Sequence, residues 1–291
     1  MTIPYHITVG HSLSSSEEEN VRTIISQTFD EIDRIYNKWN PASEISAINR
    51  AKANVKLPIS PELYRFLIEV DAFYTLTDKR FDPTVEPVQQ LWKSALEKNR
   101  LPKQEEIDKQ LASVGWSSVH FTDREIWKEQ GNTSLDLGGI AKGYAIDLIL
   151  QRLHEAGYEN LYVEWGGEIA AKGEHPDQRP WRILVTKWGI PGDTDIVVEL
   201  HNMAIASSGD YLQNWTVDGV SYSHIFNCRT GQPIKMTNRS ICSVTVTASS
   251  CLIADTLATA AMLFQSREEA ESWLENIKEQ YPKMQYWVYM R

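Results

Sequence analysis

The chain is poor in the residues that build many familiar sites. Only three cysteines occur in 291 residues, Cys228, Cys242 and Cys251, all of them late. They show neither CxxC spacing nor a structural zinc pattern, so a disulfide framework is excluded and they read as mostly buried thiols. No run of about 18 apolar residues is present, which excludes a membrane-spanning helix. The opening, Met1 to Gly10, holds Pro4, His6 and only short apolar runs, so no signal peptide is visible. Positive charge is scarce. There are 29 Lys and Arg against 39 Asp and Glu, for a net charge of -10 and a pI near 5.3. That argues against a basic face for nucleic acid. The G-x-S-x-G elbow, the G-x-G-x-x-G loop and the Walker A loop are missing too, as are short repeats and low-complexity segments.

What is there is globular. A 42% hydrophobic content excludes disorder, and the length suffices for one large α/β domain or two smaller ones. The ten tryptophans fit an aromatic-walled cavity or a Trp-rich core. Periodicity predicts a strand over 3–9, then an amphipathic helix over 17–37 opened by a capping box of Ser16 and Glu19. Ser60 and Pro61 open a second helix. Residues 94–106 read as linking, and a short helix carries Ile107, Leu111 and Val114. After Trp116 strands dominate: 119–127 interrupted by a turn, 135–137, 160–165, 168–172, a hairpin of 181–187 with 195–199, 221–226, 241–249 and 286–290. Helices are predicted over 140–156, over 253–264 and after Ser266. The expectation is one α+β domain over 1–291, mainly helical over 1–115 and sheet-rich over 116–291, with helices covering the sheet.

Six blocks carry chemistry. In LDLGGIAKGYAID, Leu135 to Asp147, Lys142 falls in the first turns of a buried helix, and a buried ammonium needs an anionic partner or a route to solvent. Gly138, Gly139 and Gly143 permit close backbone approach, and a helix start offers unpaired N–H groups, which suits a phosphate. In FDPTVEP, Asp82 is held extended by Pro83, as an acceptor for an N–H or ribose hydroxyl or in a simple Asx turn. In VEWGGEI, Glu164 and Glu168 flank a diglycine that breaks their register. In ASSGDYLQNW, Ser207, Ser208 and Gly209 read as a loop exposing hydroxyl and N–H groups, with Tyr211 as a ring face. In YSHIFNCRTGQP, His224 has the pKa range for proton transfer, or is a satisfied core histidine, and Arg229 suits an anion. In ADTLATAAM, Asp255 and Thr259 lie one helical turn apart. A carboxylate, a hydroxyl and a carbonyl from a glycine loop are hard oxygen ligands that suit Mg²⁺. Asp255 serving the helix dipole is the simpler alternative.

Together and in this order, these blocks resemble the ApbE family of flavin transferases, from about Tyr5 to Phe264. The resemblance implies a T-fold-like core of mixed and antiparallel sheet. It implies transfer of the FMN half of FAD to a protein threonine or serine with release of AMP. Asp255, Thr259 and the Gly139 carbonyl would hold Mg²⁺. Trp39, Asp82, Lys142, Glu164 and Ile225 would line the FAD site, and His224 would be the general base, with Asp255 the other catalytic side chain. Acceptors would be subunits of respiratory complexes of the sodium-pumping Nqr and Rnf kinds, and this chain would lie on the outer, periplasmic face of the bacterial inner membrane if a lipoprotein leader was removed, or in the cytoplasm otherwise. FAD hydrolysis to FMN and AMP, and FAD carriage without chemistry, are the alternatives. The chain departs from the family pattern at Asn227 and Cys228, where aspartate and proline are usual, and at Thr2-Ile3-Pro4 before Tyr5, where M-G-T is usual. If the usual aspartate orients the histidine, Asn227 can do so only without charge.

Overall fold

A computed structural model describes residues 3–186, 195–211 and 213–291. In chain order these form β1 (Tyr5–Val9), α1 (Ser15–Tyr36), α2 (Glu44–Arg50), β2 (Leu57–Pro58), α3 (Pro61–Leu76), α4 (Glu86–Leu96), α5 (Gln104–Leu111), β3 (Val119–Phe121), β4 (Glu125–Lys128) and α6 (Ala141–Glu155). There follow β5 (Leu161–Trp165), β6 (Glu168–Lys172), β7 (Trp181–Val185), β8 (Ile196–Leu200), β9 (Ala204–Gly209), β10 (Asn214–Val217), β11 (Val220–Asn227), β12 (Gln232–Lys235), β13 (Ile241–Ala248), α7 (Cys251–Ala261), α8 (Arg267–Gln280) and β14 (Gln285–Met290). The fold is the expected α+β type.

The described residues fall into two compact units. They are not the two sequential halves: the first joins 1–30, 140–209 and 241–291, and the second joins 31–139 and 210–240. The first is built on a six-stranded sheet in the order β1-β5-β6-β9-β13-β14, with antiparallel pairing throughout. Strand alternation gives this sheet two apolar faces. Leu161, Val163 and Ala170 pack with Val21, Ile25 and Phe29 of α1 and Ile146, Ile149 and Leu153 of α6. Ile169, Ala171 and Ile205 face the opposite way and pack with Trp181 and Val198 of the β7–β8 hairpin. The predicted hairpin is therefore present, although Lys187, its expected strand end, lies outside the described residues.

In the second unit, α4 and α5 pack on the three-stranded sheet β10-β11-β12, where Trp92 and Ile107 meet Val217 and Phe226. This shared core is why residues 210–240 belong with helices more than a hundred positions earlier. Trp92 also donates its indole N–H to the Gly231 carbonyl at 2.8 Å. The second small sheet, β2-β4-β3, lies in the same unit.

Several local expectations shift. The capping box at α1 is Ser14 with Glu17: Ser14 N–H donates to Glu17 Oε2 at 2.8 Å, two residues ahead of the predicted pair. Residues 135–137 form no strand. The one bridge nearby joins Ser134 to Val85. Ser207 and Ser208 lie in strand β9 rather than a loop, because β13 pairs along it, register Thr245 with Ser207 and Val244 with Ser208. Helices α2 and α4 were not anticipated.

Candidate functional site

In the first unit the chemistry gathers where α6 meets α7. Lys142 is the second residue of α6, and its Nζ lies 2.5 Å from Glu168 Oε2 in an ion pair. The hairpin between β5 and β6 turns through Gly166 and Gly167, with φ of 65° and 101°, a geometry that two successive glycines adopt without strain. Its register pairs Trp165 with Glu168 and Glu164 with Ile169, so the two acids point to opposite faces. The broken register expected at the diglycine is what separates them. Glu168 goes to the buried lysine, and Glu164 accepts the Tyr162 hydroxyl at 3.2 Å. No aligned hydrogen bond reaches the buried Glu168 Oε2.

Asp255 sits in the first turns of α7, 4% exposed, and its Oδ2 accepts the Gly143 N–H at 3.1 Å. Only glycine allows this approach: a Cβ at Gly143 would lie 2.5 Å from the Cys251 carbonyl oxygen. Asp147, one turn along α6, accepts the N–H groups of Cys251 at 2.7 Å and Leu252 at 2.8 Å, satisfying first-turn donors of α7 that have no partner within the helix. Ser250 caps the same end, accepting the Ile253 N–H. Thr259 follows Asp255 by one turn, half-buried, with its hydroxyl 2.9 Å from that of Ser208.

This cluster sets three carboxylates against one ammonium. Burial pushes Glu168 up to about 7, with Asp255 adding to the rise and Lys142 opposing it. Burial likewise raises Asp255 against the pull of Lys142 and the Gly143 N–H, and raises Asp147 to about 7 against its two N–H donors. Burial also works against the Lys142 ammonium, yet Glu168 and Asp255 outweigh it and hold Lys142 above its usual value. Such a surplus of buried negative charge calls for protons or a cation. Among the described residues no group of three or more His, Cys, Asp and Glu side chains is placed to hold a metal. A single carboxylate with a hydroxyl beside it fits a hard ion that keeps water and phosphate as its other ligands.

The second unit holds the remaining predicted positions. His224 lies on β11 where the register to β12 slips between Tyr222 and Phe226. The irregularity re-aims side chains at this point. Its Nδ1 lies 3.1 Å from the Gln213 carbonyl, and its main-chain N–H donates to the same oxygen. A carbonyl only accepts, so in the neutral ring the proton sits on Nδ1 and the lone pair on Nε2. The Gln213 carbonyl thus helps to orient the ring. Asn227 Oδ1 instead accepts the Arg229 N–H at 2.9 Å and shapes the turn into β12. Arg229 itself is engaged with Asp78 at 2.7 Å.

Asp82 is buried in an Asx turn: Oδ1 accepts the Thr84 N–H at 2.9 Å and the Thr84 hydroxyl at 2.5 Å, and Oδ2 accepts the Trp116 N–H at 3.2 Å. Burial raises its pKa against these donors. Cys228 lies against the Asp82 carbonyl, its thiol pushed up to about 12 by burial and then by the Asp82 charge. Ile225 is buried on β11, with its N–H donating to the Ser223 hydroxyl at 3.2 Å. Trp39 is 73% exposed, with Lys38 Nζ 5.0 Å and Lys93 Nζ 5.5 Å from its ring centroid. Gly139 closes the second unit in the turn before α6. The sequence reading did not single out Lys38, Glu86, Gln213 or the capping role of Asp147.

The fold is α+β, with a buried lysine–carboxylate cluster on one unit and a histidine held by a backbone carbonyl on the other. The family model described as the ApbE family matches residues 1–284, and the chain belongs to that family. The chain is 42% identical over 277 residues to the FAD:protein FMN transferase of Chlamydia pneumoniae, covering 94% of this chain and 86% of that one. It is 32% identical to the FAD:protein FMN transferase of Vibrio cholerae, covering 90% and 79%. Among solved structures, the flavin transferase ApbE of Vibrio cholerae superposes with a TM-score of 0.84 at 29% identity, covering 100% of this chain and 94% of that one. The apo form of the Pseudomonas stutzeri flavinyl transferase ApbE superposes with a TM-score of 0.83 at 25% identity, covering 99% and 92%.

Proposed function

We propose that this chain is a transferase of the kind its relatives are named for, moving the FMN moiety of FAD onto a threonine or serine hydroxyl of an acceptor flavoprotein and releasing AMP. The observation that carries this reading is the buried Lys142–Glu168–Asp255 cluster with its surplus negative charge. In the proposed reaction the acceptor Oγ attacks the FMN-side phosphorus of the pyrophosphate. The bond from that phosphorus to the bridging oxygen breaks, and AMP leaves with that oxygen. The acceptor proton passes to His224 Nε2, whose lone pair is fixed by the proton on Nδ1. Asp255, Thr259 and the Gly139 carbonyl would hold Mg²⁺, which when bound neutralises pyrophosphate charge and eases the departure of AMP. Lys142 binds the anionic substrate, exchanging part of its contact with Glu168 for phosphate. Trp39 offers an exposed ring face for the flavin or adenine. Asp82 and Ile225 shape the flavin site through the backbone they order, and Glu164 holds the adjoining strand. Flavoprotein subunits of Nqr- and Rnf-type respiratory complexes are the acceptors we expect.

Mixing the protein with FAD, Mg²⁺ and a threonine-containing acceptor peptide tests the reading by mass spectrometry. Peptide carrying FMN, formed in step with AMP, is expected. Free FMN and AMP with unmodified peptide would mean hydrolysis, and intact FAD would mean carriage alone. Either result overturns the reading.

A further inference from the structure

Three charged side chains outside the roles assigned above meet in the second unit. Lys38 comes from the turn after α1, Glu86 opens α4, and Asp136 belongs to the segment that leads to Gly139. Lys38 Nζ lies 3.0 Å from Asp136 Oδ2 and closer still to Glu86 Oε2, and none of the three side chains is more than 17% exposed. Taking such charges out of water is costly unless their remaining hydrogen-bonding capacity is satisfied. Here it is. Glu86 Oε1 accepts the Gln90 amide at 2.9 Å, and Asp136 Oδ1 accepts the Gly138 N–H at 2.8 Å. The Asp136 main-chain N–H donates to the Pro83 carbonyl at 2.7 Å. One ammonium thus ties the Trp39 turn, the FDPTVEP block and the LDLGG block together.

We propose that Lys38 is a positioning residue for flavin transfer: by holding Asp136 it fixes the Gly138–Gly139 turn, and it joins that turn to the exposed Trp39 ring beside it. The proposal rests on the reading that the Gly139 carbonyl serves Mg²⁺ and Trp39 the flavin or adenine ring. Without the ammonium, Glu86 and Asp136 face each other as two carboxylates with little water between them. Repulsion then swings Asp136 aside and frees the Gly138 N–H from Oδ1. Lys38 serves two carboxylates whose remaining oxygens are held by the Gln90 amide and the Gly138 N–H. That places its action on the turn rather than on the substrate.

The test compares Lys38→Met, which keeps the stem and removes the charge, with Lys38→Arg, whose planar fork can bridge two carboxylates. The first readout is the backbone ¹⁵N order parameter of Gly138 in ligand-free protein, which needs no FAD, metal or acceptor. It is expected near 0.85 in the parent and Lys38→Arg, and below about 0.6 in Lys38→Met. Order parameters in α3 and β13 stay as in the parent. A role in general stability alone would instead lower the melting temperature and leave Gly138 as rigid as before. The second readout is the Mg²⁺ concentration that half-saturates transfer, expected to rise about tenfold or more in Lys38→Met and to return in Lys38→Arg. If Lys38→Met does not fold, Lys38→Gln carries the same order-parameter measurement, with a mobile Gly138 expected. An unchanged Gly138 in the neutral variants overturns the proposal, and so does a Lys38→Arg protein as mobile there as Lys38→Met. A parent that transfers no flavin, with Gly138 responding as stated, sinks the functional reading and leaves the hold on the turn standing.

Discussion

The two units carry clusters of similar composition and opposite character. Each brings one lysine against two carboxylates: Lys142 with Glu168 and Asp255, and Lys38 with Glu86 and Asp136. In the second, each carboxylate oxygen has a donor, from Lys38, Gln90 or the Gly138 N–H. In the first, Lys142 meets Glu168 at Oε2 and the Gly143 N–H meets Asp255 at Oδ2, while Glu168 Oε1 and Asp255 Oδ1 have no side-chain donor among the described residues. A closed cluster holds a backbone in place. An open one has acceptor capacity left for a ligand. The contrast teaches that partner satisfaction, more than charge or burial, separates a binding site from a brace.

The sharpest way to break the comparison is to remove the open cluster's carboxylate. Asp255→Ala is expected to abolish transfer, measured as FMN-peptide across a Mg²⁺ series, because the proposed metal loses its only charged protein ligand. Thr259→Ala should cost far less, since water can replace a hydroxyl. Equal activity of Asp255→Ala and the parent would remove the metal assignment.

His224→Ala should come next. It is expected to fold, to bind FAD with parent-like affinity and to lose about 10²–10⁴-fold in the rate of transfer. A pH–rate profile unchanged from the parent would take the histidine out of the mechanism.

Gly143→Ala probes the packing beneath the open cluster. The added methyl meets the Cys251 carbonyl, so α6 and α7 must part. Overpacking of this kind costs about 1–3 kcal/mol, read by chemical denaturation. A parent-like midpoint and slope would show that the helix pair yields more easily than the geometry implies.

The smallest effect concerns pH. Glu168 and Asp147, with folded values of about 7 against ordinary values of 4.5 and 3.8, keep protons in the folded state that the unfolded chain has released. Through the window from the ordinary carboxylate range to about 7, the folded state binds more protons, so stability falls as pH rises. Ligand-free protein should therefore melt at a lower temperature at pH 7.5 than at pH 5. Glu168→Gln should flatten that slope, and Mg²⁺ should raise the melting temperature more at the higher pH. A slope that Glu168→Gln leaves intact would assign the titration elsewhere.

Much of this contrast was legible in the sequence, unevenly. The long helices α1, α3 and α6 showed their apolar period, and the strands of the large sheet showed their alternation or their continuous apolar runs. Lys142 was legible as a lysine in need of an anion, but its partner lies 26 positions on, across a hairpin whose register follows from Gly166 and Gly167. Helix α4 was missed because FDPTVEP was read for its extended start. Pro87 in the first turn and the spacing of Val88, Trp92 and Ala95 were the overlooked helix signals. Strand β9 was hidden by its Ser-Ser-Gly composition and owes its conformation to β13 alongside it, a non-local cause. The Gln213 carbonyl that orients His224 left no trace, since a backbone oxygen has no letter in a sequence. Lys38, Glu86 and Asp136 stood in three separate blocks, and only the fold brings them together.

The central claim is that the open cluster takes the cation. Calorimetric titration of Mg²⁺ into FAD-loaded protein tests it most directly, with the parent compared to Asp255→Asn. Asparagine keeps the shape and an acceptor for the Gly143 N–H while removing the charge. The account predicts saturable Mg²⁺ binding in the parent and its loss in Asp255→Asn, with FAD still bound. The same Mg²⁺ affinity in both proteins would contradict it.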